Sequence, residues 1–266
     1  MSTVAAAPIV SPHAAMRLYQ WVKGFAPPAE KLRWVHTTDA FAFRAILEQR
    51  VLTPQECKVF GDPLTYLFYG RPAYRFNRRD NMRSSYHAPV VLIFRERILD
   101  HTFRLFPFDT GAFKGKRYDT WLHKGMELES FEYPGKEGNE GKHVTAFYGG
   151  NHRYWNGEGI AIGNISGEYE VEAVRDMISD KNMNVADDRR LVVELLVKDD
   201  IPLTADYLEA IYVPSSIKDA EFLKIFEKDV NVSVYTYPAN GMKPAIEYQA
   251  LLEHFLSEFH EDMGAL

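Results

Sequence analysis

The stretch from Trp34 to Arg75 decides the fold expected for this 266-residue chain. It opens with WVHTT at 34–38, continues through an amphipathic segment that ends ILEQRVL at 46–52, and closes with FGDPLTYLFYGRPAYR at 60–75. The pattern predicts a strand that ends near a histidine, then a helix, then a strand with one tyrosine and a second tyrosine beyond it. Such an arrangement is typical of a ligand pocket.

Periodicity outside this stretch predicts a mixture of strands and helices without a regular βαβ rhythm. That mixture favours an α+β fold over a doubly wound sheet. We expect Asp39 to cap a helix whose apolar face contains Phe41, Phe43, Ile46 and Leu47. The predicted strands are 31–36, 65–69, 89–95, 102–108, 191–197, 208–213 and 232–237, and the other predicted helices include 171–178, 216–230 and 244–263.

Domain organisation follows from composition along the chain. Residues 1–11 are small and apolar without period, which predicts a loose tail. Residues 12–266 are predicted to form one domain with a loop-rich insertion at about 111–167, in which nine glycines fall between residues 135 and 167, and with one helix near 119–128.

Composition and charge narrow the class of protein. The chain is 46% apolar with a net charge of −6, which suits a globular protein and argues against a nucleic-acid coat or a membrane-surface protein. Cys57 is the one cysteine, so an intrachain disulfide and a cysteine zinc cluster are excluded, and the histidines lack metal-like spacing. The apolar run at 88–94 is too short to span a membrane. A cytoplasmic protein without a metal site is expected.

Two regions carry residues that suggest chemistry. The first contains His36-Thr37, Ile46-Leu47, Phe60-Gly61, Tyr66 and Tyr74 in that order. The second contains Glu194 inside LVVELLV at 191–197, where a buried carboxylate is costly unless it has a partner or a function. Together they resemble the NAD-binding fold of ADP-ribosyltransferases of the H-Y-E type, which include poly(ADP-ribose) polymerases and DarT-like toxins. The resemblance covers roughly residues 31–76 and 188–214, and does not cover 98–170.

The resemblance implies a split β-sheet with flanking helices and NAD as co-substrate. It implies that Glu194 and His36 are catalytic. Glu194 would bind a ribose hydroxyl and stabilise the positive charge that develops on the ribose as the bond to nicotinamide breaks. His36 would donate a hydrogen bond to the other ribose hydroxyl. The backbone at Thr37 would bind the carboxamide, and the rings of Tyr66 and Tyr74 would hold the nicotinamide.

Several points stay open at the level of sequence. The turn after Phe60-Gly61 is one residue longer than the commonest family form, so either Tyr66 or Tyr69 faces the pocket. Strand alternation places these two on opposite faces. Glu209, on the next predicted strand, is a rival of Glu194. Arg71 is expected to bind the NAD pyrophosphate or phosphates of the target.

The expected function is therefore transfer of ADP-ribose from NAD to a macromolecule, which is DNA, RNA or protein, as in a toxin or an antiphage effector. Two alternatives remain. In the first alternative, the chain is an NAD glycohydrolase that uses water as acceptor. In the second, it is a non-catalytic nucleic-acid or protein-binding module that uses the arginines between Arg71 and Arg97.

Overall fold

A mixed β-sheet of eight strands with helices on both faces forms the centre of this α+β protein. The computed structural model describes residues 16–57, 59–73, 85–136, 138–181, 188–239 and 245–266. The predicted tail 1–11 and the predicted site residue Tyr74 lie outside these ranges.

The described part of the chain contains ten strands and eight helices. The strands are β1 (Trp34–Asp39), β2 (Val51–Leu52), β3 (Gln55–Glu56), β4 (Pro63–Tyr69), β5 (Pro89–Phe94), β6 (Thr102–Phe106), β7 (Glu194–Val197), β8 (Ile201–Pro202), β9 (Leu208–Pro214) and β10 (Ser233–Tyr237). The helices are α1 (Arg17–Val22), α2 (Ala40–Gln49), α3 (Thr110–Lys114), α4 (Asn139–Tyr148), α5 (Asn151–Trp155), α6 (Tyr169–Ser179), α7 (Glu221–Val230) and α8 (Ala245–Asp262).

The large sheet has the order β10-β9-β5-β1-β4-β7-β6, and β3 pairs with β4 beside this path. The parallel pair β9–β10 makes the sheet mixed, because the other paired strands are antiparallel. A separate small sheet joins β2 to β8.

The sheet opens between β1 and β4. These strands pair through Trp34↔Tyr69 and Val35↔Phe68, whereas β1 pairs with β5 along its whole length. On its other side, β4 pairs with β7 from Thr65 to Phe68. Beyond Val35 the two strands therefore separate, each held by its other neighbour, and the opening between them is the site described below.

Two cores cover the two faces of the sheet. Trp34, Leu92 and Ile211 belong to the larger core, which includes buried side chains of α1, α2, α4 and α7. Val35 and Val91 face the other way and pack with Leu252 and the rest of the buried face of α8. Because successive strand residues point to opposite faces, the central strands β1, β5 and β9 contribute to both cores.

Helix α2 begins as the sequence predicts, since the Asp39 carboxylate accepts a hydrogen bond from the Ala42 backbone N–H at 2.8 Å. Phe43 and Leu47 are buried in the core. The expected burial of Phe41 is wrong, because its side chain is 63% exposed. Two positions along a helix correspond to about 200° of rotation, so Phe41 and Phe43 lie on opposite faces.

The stretch 111–167 contains more helix than the sequence predicts. It includes most of α3 and all of α4 and α5. The helix predicted near 119–128 is wrong, since residues 115–121 form successive turns. Buried aromatic side chains of this stretch, including Tyr118, Phe131 and Phe147, pack in the same core as the sheet. The glycine-rich composition obscured this contribution to the core.

Candidate functional site

A cavity of about 300 Å³ lies at the opening between β1 and β4. Four of the residues predicted to form the site, His36, Thr37, Tyr66 and Glu194, line it together. The other lining residues are Phe68, Ala73, Asp109, Gly111 and Arg189. Residues that are far apart in sequence therefore converge on one volume of ligand size.

Strand register explains which side chains face this cavity. Tyr66 and Phe68 are two residues apart on β4 and share a face, and Glu194 lies opposite Phe68 on β7. Tyr69 points to the other face, where its hydroxyl accepts a hydrogen bond from the Leu32 backbone N–H at 3.1 Å. The alternative left open by the sequence is thus decided for Tyr66 as the residue that lines the cavity.

Glu194 is a buried carboxylate that lacks a cationic partner among the described residues. Its side chain is 1% exposed, and Oε2 accepts a hydrogen bond from the Thr110 backbone N–H at 3.0 Å. Oε1 has no hydrogen-bond partner. Burial, followed by the nearby charge of Asp109, raises the pKa of Glu194 well above its usual range, while the hydrogen bonding of Thr110 opposes that rise. Perturbed groups of this kind concentrate at functional sites.

His36 bridges the opening between the strands. Its Nδ1 lies 2.9 Å from the carbonyl oxygen of Tyr66, and since a carbonyl only accepts, Nδ1 must carry the proton. Burial lowers the pKa of His36, with the hydrogen bond to Tyr66 acting in the opposite direction. The imidazole is therefore neutral near pH 7 and its Nε2 is an acceptor, which differs from the donor role expected from the sequence.

Two further polar side chains belong to this region, Cys57 behind Tyr66 and Thr37 in the cavity lining. The buried thiol of Cys57 shares a short hydrogen bond with the hydroxyl of Tyr66 and accepts another from the Val59 backbone N–H at 3.3 Å. Burial, with this contact, raises the pKa of Tyr66, so its phenol stays neutral. Thr37 is buried, and its Oγ1 has no hydrogen-bond partner among the described residues. Two residues that line the cavity, Thr37 and Glu194, therefore each have a buried oxygen without a hydrogen-bond partner among the described residues.

Sequence reasoning missed Asp109 and Arg189. Asp109 caps α3 by accepting a hydrogen bond from the Ala112 backbone N–H at 2.6 Å. Its other carboxylate oxygen pairs with Arg189 at 3.1 Å. An aspartate three residues before an apolar helical segment is a capping signal, but its pairing with an arginine 80 residues away has no local signature.

Arg71 and Glu209 are not among the residues that line this cavity. The buried guanidinium of Arg71 donates to the Trp155 carbonyl at 3.1 Å and lies 5.6 Å from the centre of the Tyr154 ring. Its phosphate-binding role stays a prediction. Glu209 forms ion pairs with Arg33 and, at 3.3 Å, with Arg95.

A second cavity of about 530 Å³ shares His36, Thr37 and Tyr66 with the first. It extends along α2 from Ala42 to Gln49 and reaches β2 and β3. Its described lining residues include two glutamines, four threonines and one carboxylate, Glu56, and none of them is Lys or Arg. The two cavities therefore adjoin at His36, Thr37 and Tyr66, and they are together called the cleft.

Neither a metal-ion site nor a membrane-spanning helix occurs in the described part of the chain. No three side chains of His, Cys, Asp or Glu come together there as ligands for a metal ion. None of the helices within those ranges has both the length and the apolar character needed to cross a membrane.

No family model matches the chain, and no curated protein matches it. Among solved structures, the chain is similar to Thermosipho africanus DarTG in complex with ADP-ribose, with a TM-score of 0.36 and 13% sequence identity. The similarity covers 78% of this chain and 50% of that chain, so this chain spans about half the length of the protein it matches.

Proposed function

We propose that this protein is an NAD-dependent ADP-ribosyltransferase that moves ADP-ribose from NAD to a macromolecular acceptor. One observation carries the proposal. Glu194 is buried with Oε1 unpartnered, and it lines the same cavity as His36, Thr37 and Tyr66. A carboxylate in this state is costly for folding, so its presence in a ligand-sized cavity favours a chemical role.

The chemistry proposed at Glu194 concerns the ribose of NAD. When the bond to nicotinamide breaks, its electron pair leaves with the nicotinamide, which becomes neutral, and positive charge develops on the ribose. The anionic form of Glu194 accepts a hydrogen bond from a ribose hydroxyl through Oε1 and stabilises that charge. An acceptor nucleophile then bonds to the ribose carbon and loses its proton to solvent. A preorganised charge of this kind contributes about 3 kcal/mol to lowering the barrier.

The remaining cavity residues are proposed to hold the substrate. The ring of Tyr66 stacks on the nicotinamide, and a stack of this kind is worth about 1 kcal/mol. Tyr74, outside the described ranges, is proposed as the second ring, as the family resemblance implies. The Thr37 backbone binds the carboxamide. Neutral His36 accepts a hydrogen bond from the second ribose hydroxyl through Nε2, because its Nδ1 proton is committed to Tyr66.

The second cavity is proposed to accept the adenosine end of NAD. The first cavity, at about 300 Å³, suits nicotinamide and its ribose, and the two cavities meet at His36 and Tyr66. Uncharged glutamine and threonine side chains suit a nucleoside, which presents hydrogen-bonding edges and no net charge.

The test is incubation with NAD labelled in its adenylate half, followed by measurement of released nicotinamide. We expect Glu194→Gln to slow release by about 100- to 1,000-fold, and Glu209→Gln, the matched strand carboxylate, to stay within about twofold of wild type. Release by Glu194→Gln at the wild-type rate would contradict the proposal.

Where the label ends decides between acceptors. Label that remains on DNA, RNA or protein in a cell lysate identifies the acceptor class. Label that appears only as free ADP-ribose identifies water, and hence a glycohydrolase. No release of nicotinamide, combined with oligonucleotide binding that weakens steeply with salt, would indicate a binding module.

A further inference from the structure

Asp109 and Arg189 line the cavity beside Glu194 and are held to each other twice. The Asp109 backbone N–H donates to the Arg189 carbonyl at 3.1 Å. The Arg189 guanidinium donates to Asp109 Oδ2, also at 3.1 Å. Both side chains are mostly buried, where an ion pair that keeps its geometry is screened less than on the surface.

This pair also determines where one oxygen of Glu194 lies. Asp109 Oδ1 caps α3 by accepting from the Ala112 backbone N–H, and the next residue, Thr110, donates its backbone N–H to Glu194 Oε2. Arg189 precedes β7, the strand that carries Glu194. Hydrogen bonds therefore join the start of α3 both to the segment that precedes β7 and to the Glu194 side chain.

The charged and titratable groups around Glu194 show why the pairing matters electrostatically. Burial is the largest cause of the raised pKa of Glu194, the like charge of Asp109 is the next, and Cys57 adds a smaller contribution of the same sign. Tyr66 is neutral because its pKa is raised, and His36 is neutral because its pKa is lowered. Arg189 is the cation adjoining this group, and it compensates the charge of Asp109.

We propose that Asp109 and Arg189 act together as positioning residues that hold the Glu194 carboxylate in its working orientation and set the pH range in which it works. This inference rests on the proposed function, in which Glu194 acts as an anion. Asp109 alone would favour the protonated form of Glu194. Arg189 offsets that charge while keeping Asp109 in place as the cap of α3.

The test is the pH profile of nicotinamide release, whose acid limb follows the ionisation of Glu194. Asp109→Asn keeps a capping side chain but removes the like charge, so the acid limb is expected to move down by about one pH unit. Arg189→Gln leaves Asp109 uncompensated and is expected to move the limb up by about one unit. Arg189→Lys keeps the charge and should restore a profile close to wild type.

Opposite shifts in the two variants separate this inference from a purely structural role, which would lower the rate without moving the limb. Thermal melting of each variant identifies any that fails to fold, and the two arginine variants then carry the test if Asp109→Asn does not fold. Acid limbs that coincide with wild type would overturn the inference. Full release by Glu194→Gln would instead overturn the proposed function.

Discussion

Glu194 and Glu209 are carboxylates on strands of one sheet, and their surroundings differ completely. Glu209, on β9, forms ion pairs with Arg33 and Arg95, and 18% of its side chain is exposed. Glu194, on β7, is buried, accepts one backbone hydrogen bond and keeps one oxygen without a partner. The difference follows from the sheet, which is continuous from β9 through β5 to β1 and opens between β1 and β4.

This contrast separates structural from chemical carboxylates. Two arginines compensate the charge of Glu209, so its location has a sufficient explanation in stability. The location of Glu194 costs stability, because its charged form is removed from water without a cation in exchange. A cationic substrate bound in the cavity would supply the missing charge, which supports the chemical role proposed for Glu194.

The largest expected effect is on stability. Replacing Glu194 by glutamine should change the free energy of unfolding in the opposite direction to replacing Glu209. The folded-state pKa of Glu194 is raised, so its contribution is fully present below the usual carboxyl pKa and is lost as pH rises towards the folded value. At pH 8 we expect Glu194→Gln to increase the free energy of unfolding by about 2 kcal/mol, an increase that disappears near pH 4. We expect Glu209→Gln to decrease it by about 1 kcal/mol.

Chemical denaturation at pH 4, 6 and 8 measures both glutamate variants. A Glu194→Gln protein that is less stable than wild type at pH 8 would show that the carboxylate is stabilising, and the contrast between the two glutamates would fail.

The next prediction concerns a buried titratable group that does not line the cleft. It tests whether burial of such a group affects stability without affecting activity. His143 on α4 is buried, shares a hydrogen bond with the Tyr133 hydroxyl at 2.8 Å, and has its pKa lowered by burial to about 3. The unfolded chain takes up this proton near pH 6.5 and the folded protein does not. Stability is therefore lost as pH falls below 6.5, by about 2 kcal/mol at pH 5.

His143→Gln should remove that acid-dependent loss, whatever its effect at pH 8. The measurement is the difference between the free energies of unfolding at pH 8 and pH 5 for each protein. An unchanged difference would contradict the prediction. Nicotinamide release at pH 8 by the folded variant is expected to stay close to wild type, since His143 does not line either cavity of the cleft.

The smallest effect compares the two tyrosines of β4. Tyr66→Ala removes a ring from the cavity and is expected to raise KM for NAD about tenfold. Tyr69→Phe removes the acceptor of the Leu32 N–H on the other face, and should lower the free energy of unfolding by about 1 kcal/mol without changing KM. Steady-state kinetics and chemical denaturation of both variants are the measurements. An unchanged KM in Tyr66→Ala, or a raised KM in Tyr69→Phe, would contradict the prediction.

Much of the fold is predictable because its signals are local. The strand predicted at 89–95 is β5, and the one at 65–69 lies within β4, since continuous apolar runs between turn residues are typical of buried strands. Asp39 caps α2 as predicted, because a cap and its helix are adjacent in sequence. The boundary of α7 was placed too early, since residues 215–217 form a separate 3-10 turn before the helix begins at Glu221.

The sequence by itself determined the mixture of strands and helices, because residue type and alternation are local properties. The candidates His36, Tyr66 and Glu194 came from the resemblance of their order along the chain to that of a known family. Only the tertiary structure decided that Tyr66 rather than Tyr69 faces the cleft, that Glu209 has two arginine partners, and that Asp109 reaches Arg189. Each of these depends on which strands are neighbours and where their pairing ends. Strand pairing joins residues that are distant along the chain, so no local pattern specifies it.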